Sequence, residues 1–221
     1  MSYRLGVDVG GTFTDFLLIN ESDGSTYTAK VPSTPEDSSI GVLNGVARIC
    51  EQSGVNPKDI KLVMHGTTVA TNAVLTGNGA KVGLLTTQGY ESILQVARSF
   101  CPGGLGGWVS FVKGPLLAPL ELTQGIKERT DASGEISIPL DEDHLKEQLT
   151  QLKQRGQVEA LTISFVNSYI NNANEVLAAK IAAEIFTDVP ISISSEVIPE
   201  MQEYERAETT VLNSYVRPQV S

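Results

Sequence analysis

The stretch that most limits what this chain can become is residues 5–15, Leu-Gly-Val-Asp-Val-Gly-Gly-Thr-Phe-Thr-Asp. Apolar Leu5, Val7 and Val9 alternate with Gly6 and Asp8, and an apolar run resumes at Phe13 and Phe16 after Gly10-Gly11. Alternation interrupted by a glycine pair predicts two strands joined by a tight turn, where glycine takes a positive φ cheaply. A plain hairpin leaves the polar residues unexplained. Asp8 ends the first strand and Thr12 and Thr14 are expected on one face of the second, so a carboxylate, two hydroxyls and bare N–H groups meet in a small volume. Such a set suits a phosphate, with successive N–H groups as an anion nest and the carboxylate holding hydrated magnesium. Two commoner phosphate loops are excluded. No Gly-x-x-x-x-Gly-Lys-Ser/Thr string occurs, and these glycines lead into a β run where a dinucleotide fingerprint leads into a helix.

The rest of the chain reads as α/β. A third strand over residues 26–31 completes an N-terminal meander, and Thr34 with Pro35 is expected to start a helix whose apolar face is Ile40, Leu43, Val46, Ala47 and Ile49. Residues 60–64 form a strand, and His65-Gly66-Thr67-Thr68 turns from it into a helix near Val69. Free N–H groups at that helix start are a second place for an anion, while capping by Thr67 or Thr68 is the structural alternative. Strand and helix alternate through residues 81–86, 160–166, 173–186 and 191–195, which indicates a parallel, helix-covered sheet. Residues 126–130 and 135–139 read as a hairpin about Asp131-Ala132-Ser133-Gly134, and Asp141 caps the next helix. The acidic run at 141–143 beside His144 has metal-like composition, but acids at a helix start complement the dipole. Residues 102–107 break all periodicity and read as a lid or substrate loop anchored by Trp108, with Arg98 before it, or as an irregular surface excursion. Pro199 is expected to open a final helix that stops before Pro218. On it Tyr204, Ala207, Val211 and Tyr215 share one face, and Glu203, Arg206, Thr210 and Asn213 share another.

Composition removes several function classes. With 41% hydrophobic and 19% charged residues among 221, the chain is neither disordered nor membrane-like. Arg4 and Asp8 come too early for a secretory signal, no run reaches spanning length, and the cytoplasm is the expected location. A net charge of −10 disfavours nucleic acid, which needs clustered cations, yet tolerates one local phosphate site built from backbone donors. Cys50 and Cys101 are too few and too far apart for a zinc site.

Three blocks carry a family resemblance. The string Asp-x-Gly-Gly-Thr-x-Thr-Asp at residues 8–15 resembles the first phosphate loop of the actin, hexokinase and heat-shock ATPase superfamily. Together with His65-Gly66-Thr67-Thr68-Val69-Ala70-Thr71-Asn72-Ala73 and Glu205-Arg206-Ala207-Glu208-Thr209-Thr210, it resembles the narrower hydantoinase A and 5-oxoprolinase family. The resemblance implies an RNase H-like mixed sheet with an N-terminal antiparallel meander and flanking helices. It implies a lobe over residues 1–198 and a junction helix over 199–221 that leads to a second, missing C-terminal lobe, because no second Asp-x-Gly-Gly-Thr string occurs. Family members use ATP and Mg²⁺ to phosphorylate an amide or ketone-derived oxygen and open cyclic amides such as 5-oxoproline or hydantoins, often with a second subunit. The same scaffold serves ATP-dependent ketone carboxylases, and a half-enzyme that only binds phosphates or a partner is the reading of another class. By resemblance Asp8 holds the magnesium water shell, Gly10, Gly11 and Thr12 contact phosphate, and Thr14 and Asp15 support the loop. Gly66, Thr67, Thr68, Asn72, Arg98, Arg206 and Thr210 are assigned to the cleft.

Overall fold

The computed structural model describes residues 2–34, 37–99 and 101–220. They form two compact units, Met1–Asn78 and Gly79–Gln219, which divide in the Gly77-Asn78-Gly79 turn. Both units are α/β, as the alternation of strands and helices requires.

In the first unit β1 (Tyr3–Val9), β2 (Phe13–Asn20) and β3 (Thr26–Pro32) make the antiparallel meander, joined by helix α1 (Ser38–Ser53) to β4 (Ile60–Thr67). β4 runs parallel to β1, giving the order β3-β2-β1-β4. Side chains alternate across a strand, so Leu5, Val7, Val9, Phe16 and Leu18 fill the α1 side with Ile49. β4 extends past Met64 to Thr67 because its ladder continues as far as the pair Val9↔Thr67. It is an edge strand, and Leu62, Val63 and Met64 are exposed.

Helix α1 departs from its expected face and cap. Asp37 caps it by accepting from Ser39 N–H at 2.9 Å, while Thr34 Oγ1 receives the Gly41 N–H at 2.9 Å from outside. Pro35 lies outside the described residues. Ile40 and Leu43 point to solvent, 50% and 67% exposed. The buried stripe is Gly41, Gly45, Ile49 and Cys50. A Cβ on Gly45 would lie 2.0 Å from the Phe16 ring, so the missing side chain is what lets the helix sit on the sheet. A hydrophobic count passes over glycine, and the stripe was therefore misplaced. After β4, helix α2 (Val69–Thr76) ends at Gly77 in the left-handed region, φ 71°.

In the second unit the chain runs β5 (Val82–Thr87), α3 (Ile93–Val96), α4 (Gly104–Ser110), β6 (Thr123–Ile126), β7 (Arg129–Thr130), β8 (Ile136–Ile138), α5 (Glu142–Arg155), β9 (Ala160–Ser164), α6 (Ala173–Ile185), β10 (Ile191–Ile193), α7 (Ser194–Val197) and α8 (Glu203–Val220). β10-β9-β5-β6 form a wholly parallel sheet, and β7 and β8 are the expected small hairpin. Both faces are covered, which is why β5 and β9 read as nearly unbroken apolar runs. Leu85, Leu161 and Ile163 pack with α5 and α6 through Leu149 and Ala178. Val82 and Leu84 pack with Ala207, Val211 and Tyr215 of α8.

Two further expectations are corrected here. The glycine-rich stretch at 102–107 enters a short helix, α4, although the side chain of Trp108 lies outside what is described. Helix α8 starts at Glu203, after Pro199, and carries Pro218 inside its last turns. Proline near a frayed C-terminal end removes one ladder bond without breaking a long helix. Among the described residues no helix is long and apolar enough to cross a membrane.

Candidate phosphate site

The β1–β2 connection is a two-residue turn, with Gly10 N–H donating to Phe13 O at 3.0 Å around Gly11 and Thr12. Neither glycine takes a positive φ, contrary to the expectation for such a turn. Space explains them instead. A Cβ on Gly10 would lie 2.9 Å from Phe13 O, and one on Gly11 would lie 3.0 Å from Asn72 Nδ2.

Ser33 straps this turn from behind. Its N–H donates to Thr12 O at 3.0 Å, its hydroxyl donates to Gly10 O at 2.7 Å, and Thr14 Oγ1 donates to Ser33 Oγ at 3.0 Å. Two carbonyls are thereby turned away. The N–H groups of Gly11 and Thr12, and the Thr12 hydroxyl, have no protein acceptor or donor among the described residues. Successive free N–H groups are the anion nest the sequence suggested. Thr14 is 1% exposed and lies on the core side, so it does not share a face with Asp8. It reaches the loop only through Ser33, a residue that the sequence offered merely as turn punctuation.

The polar face is built by other partners. Asp8 stands directly opposite Asp15 on β2 and beside Gly66 on β4. Both carboxylates are exposed. Like charges directly opposite on a sheet repel, and only Asp15 is relieved, by Lys30 at 3.0 Å. Asp8 has no hydrogen bond or ion pair among the described residues. A Cβ at Gly66 would lie 4.0 Å from Asp8 Oδ1, so the floor beside Asp8 is bare. An open cavity of about 840 Å³ spreads over this face, lined by Asp8, Asp15, Leu17, Lys30, His65 and Gly66. Three-ligand groups of His, Cys, Asp or Glu are absent among the described residues. One or two carboxylates with water and phosphate oxygens is nevertheless the usual donor set for Mg²⁺, and Asp8 with Asp15 fits it.

Thr67, Thr68 and Asn72 converge on the same end of β1. Thr68 N–H donates to Val9 O at 3.2 Å, Thr67 Oγ1 accepts from Val69 N–H at 3.2 Å, and Asn72 Nδ2 donates to Thr68 Oγ1 at 3.3 Å. Thr67 Oγ1 thereby takes the first N–H of α2, whose N-cap, Thr68, makes no side-chain cap bond, and Asn72 abuts Gly11. Three expected cleft residues belong to the second unit and are engaged there. Arg98 is bound to Glu205 and to Gln202, the latter at 2.8 Å. Arg206, 1% exposed, donates to Ser168 Oγ at 2.7 Å and Phe165 O at 2.8 Å, pairs with Glu203 and stacks on Tyr169. Thr210, 0% exposed, donates to Arg206 O at 2.6 Å. Arg206 and Thr210 are thus packed inside their unit and face no cleft in it, because the second stripe of α8 is a buried polar stripe against the parallel sheet.

These features define an α/β chain whose first hairpin presents free backbone amides and an open carboxylate at one end. Comparison with known proteins narrows the class. The chain belongs to the hydantoinase/oxoprolinase family, whose model of the N-terminal region matches residues 4–186. It is 37% identical over 220 residues to the caprolactamase subunit alpha of Pseudomonas jessenii, covering 98% of this chain and 31% of that one. The crystal structure of that ATP-dependent caprolactamase superposes with a TM-score of 0.84 at 36% identity over 98% of this chain and 32% of its own. The acetophenone carboxylase gamma subunit of Aromatoleum aromaticum is 34% identical over 96% of this chain and 31% of its length. A nucleotide-free acetone carboxylase structure gives a TM-score of 0.88 at 27% identity, over 97% of this chain and 32% of that one. The chain therefore spans about a third of these relatives' length.

Proposed function

We propose that this chain is the N-terminal, phosphate-binding part of a cytoplasmic ATP-dependent cyclic amidase of the hydantoin, 5-oxoproline or lactam type. One observation carries the phosphate assignment, the pair of free N–H groups at Gly11 and Thr12 beside the unpartnered carboxylate of Asp8. An unstrained amide is a poor electrophile, and transfer of a phosphoryl group to its carbonyl oxygen creates a leaving group. Such a transfer is catalysed chiefly by positioning and charge stabilisation. Gly11 and Thr12 donate to phosphate oxygens, and Ser33 fixes the carbonyls of Gly10 and Thr12 so that the donors need not reorganise. Asp8, opposed by Asp15, would hold Mg²⁺ through water, and the ion would supply neutralising charge to the phosphates. Asn72 holds the Thr68 corner against Gly11. Similarity to the caprolactamase supports the amide, and a further lobe and a second subunit complete the enzyme in this reading.

Similarity to the acetophenone and acetone carboxylase proteins favours a second reading, in which a ketone is the phosphoryl acceptor. The two separate cleanly. ADP release by the full-length protein with any partner subunit is followed with 5-oxoproline, hydantoin or caprolactam, and with ketone plus bicarbonate. Stimulation by a cyclic amide, with carbonyl ¹⁸O appearing in phosphate, is expected. Stimulation by ketone and bicarbonate alone overturns the amidase reading and leaves the phosphate site standing. Thr12→Ala should weaken ATP binding by about 0.5–3 kcal/mol, for one hydrogen bond to a neutral or charged oxygen. Unchanged affinity overturns the loop assignment.

A further inference from the structure

We propose that the second unit carries a binding site of its own for a small carboxylate, at the carboxyl ends of β5 and β6, with Arg129 and Lys127 as its cationic groups. The topology places it. From β5 the chain steps outward to β6, returns across the sheet to β9, and steps outward again to β10, so the connections leaving β5 and β9 depart to opposite sides. In open parallel sheets such a switch point is where ligands bind, outside the carboxyl ends of the strands. Here the gap between β5 and β9 is itself closed, because Thr87 Oγ1 accepts from Val166 N–H at 2.9 Å. The open space lies next door. A cavity of about 480 Å³ is lined by Thr87, Gln88, Lys127, Glu128, Arg129 and Ile138, within the range of small-molecule sites.

Its floor is rigid and its rim is cationic. Glu128, 3% exposed, accepts from Thr87 Oγ1 and, at 2.8 Å, from Asn174 Nδ2, tying β5, α6 and the strand end together. Arg129 lies over the Tyr90 ring with its guanidinium carbon 5.3 Å from the centroid. The one hydrogen bond of its guanidinium among the described residues is a long contact to Tyr90 Oη, 3.5 Å. Neither Arg129 nor Lys127 has an ion pair among the described residues. A guanidinium held by an aromatic face, with its donors unspent, matches the two oxygens of a carboxylate. Two cations above one buried carboxyl suit a singly charged ligand better than a polyphosphate. Ile138, 53% exposed, offers apolar surface for the ligand's carbon chain.

This site stands apart from the phosphate reading of the first unit, and its test keeps the two distinguishable. Binding of sodium pentanoate to the full-length protein is measured by calorimetry for the parent and for Arg129→Ala, Arg129→Lys, Lys127→Ala and Thr12→Ala. Saturable binding by the parent is expected, weakened about ten- to a hundredfold in Arg129→Ala and less in Lys127→Ala and Arg129→Lys, with Thr12→Ala unchanged. Circular dichroism checks that Arg129→Ala keeps the parent's fold, and Arg129→Lys and Lys127→Ala report independently if it does not. Absence of saturable pentanoate binding overturns the proposal. So does parental affinity in Arg129→Ala, or loss in Thr12→Ala alone, which places the anion in the first unit.

Discussion

Arg206→Met separates a cleft role from a packing role for the most deeply buried cation of the second unit. The arginine is 1% exposed, and its two strongest neutral contacts, to Ser168 Oγ and Phe165 O, measure 2.7 and 2.8 Å. Hydrogen bonds from a charged donor contribute about 1.5–3 kcal/mol each, so the pair alone amounts to roughly 3–6 kcal/mol. Methionine returns part of that through volume and flexibility. Ser168 keeps Ser194 as a partner at 3.1 Å, and Glu203, whose side chain is 25% exposed, can rehydrate. Phe165 O loses its charged donor and keeps only the Ser168 N–H, at 3.3 Å. The expected net loss is about 3–5 kcal/mol, the range for breaking a buried ion pair from one side. Urea unfolding of the full-length protein, followed by far-ultraviolet circular dichroism and by proteolysis within the second unit, measures it. A loss below about 1 kcal/mol, accompanied by weaker nucleotide binding, would refute the buried-strut reasoning and restore a cleft role.

Gly45→Ala should cost about 1–3 kcal/mol, because its Cβ would meet the Phe16 ring at 2.0 Å in a packed core; a melting temperature equal to the parent's would contradict the close approach of α1. Gly11→Ala should be nearly neutral for stability, since the atom it meets is the far end of the Asn72 side chain at 3.0 Å, yet it should weaken ATP binding by crowding the nest. Adding Asn72→Ala should restore part of that binding, and no recovery in the double variant counts against the crowding. Burial holds the Glu128 carboxyl above its ordinary value of 4.5, despite the bonds from Thr87 and Asn174. A raised folded-state pKa means the folded form keeps its proton longer, so stability of the second unit is greatest below about pH 4.5 as far as this group is concerned and falls as pH rises through the folded value. Glu128→Gln should flatten that slope, and an unchanged pH profile of urea midpoints would remove Glu128 as its source.

The parts of the structure that were legible in the sequence are those governed by local period. Alternation in β1 and β2, the unbroken apolar runs of β5 and β9, and the Asp141 cap of α5, which accepts from His144 N–H at 2.9 Å, were all readable. What escaped depends on neighbours distant in sequence. Gly45 reads as a weak helix residue until Phe16 is seen against it. Thr14 and Thr12 look equivalent until Ser33, nearly twenty residues on, claims one of them and leaves the other free. Arg206 and Thr210 form a polar stripe that reads as solvated or cleft-facing, because sequence alone cannot show that Ser168 and Phe165 wait beneath it. Glu128 carried no signal, since it stands between two other charged residues, Lys127 and Arg129.

The open edge of β4 also bears on how this polypeptide is made. β4 is complete by residue 67 and partners β1 on one side, leaving Leu62, Val63 and Met64 beside an unpaired row of backbone groups. On a ribosome moving at about 5–20 residues per second, synthesis of residues 68–221 takes roughly ten to thirty seconds. Throughout that interval the nascent chain displays an apolar strand edge of the kind that templates pairing with a neighbouring chain. Crowded polysomes are therefore where the molecule is most vulnerable. A charge at Val63, which is 58% exposed, should raise the soluble yield even though it alters no contact of the folded units.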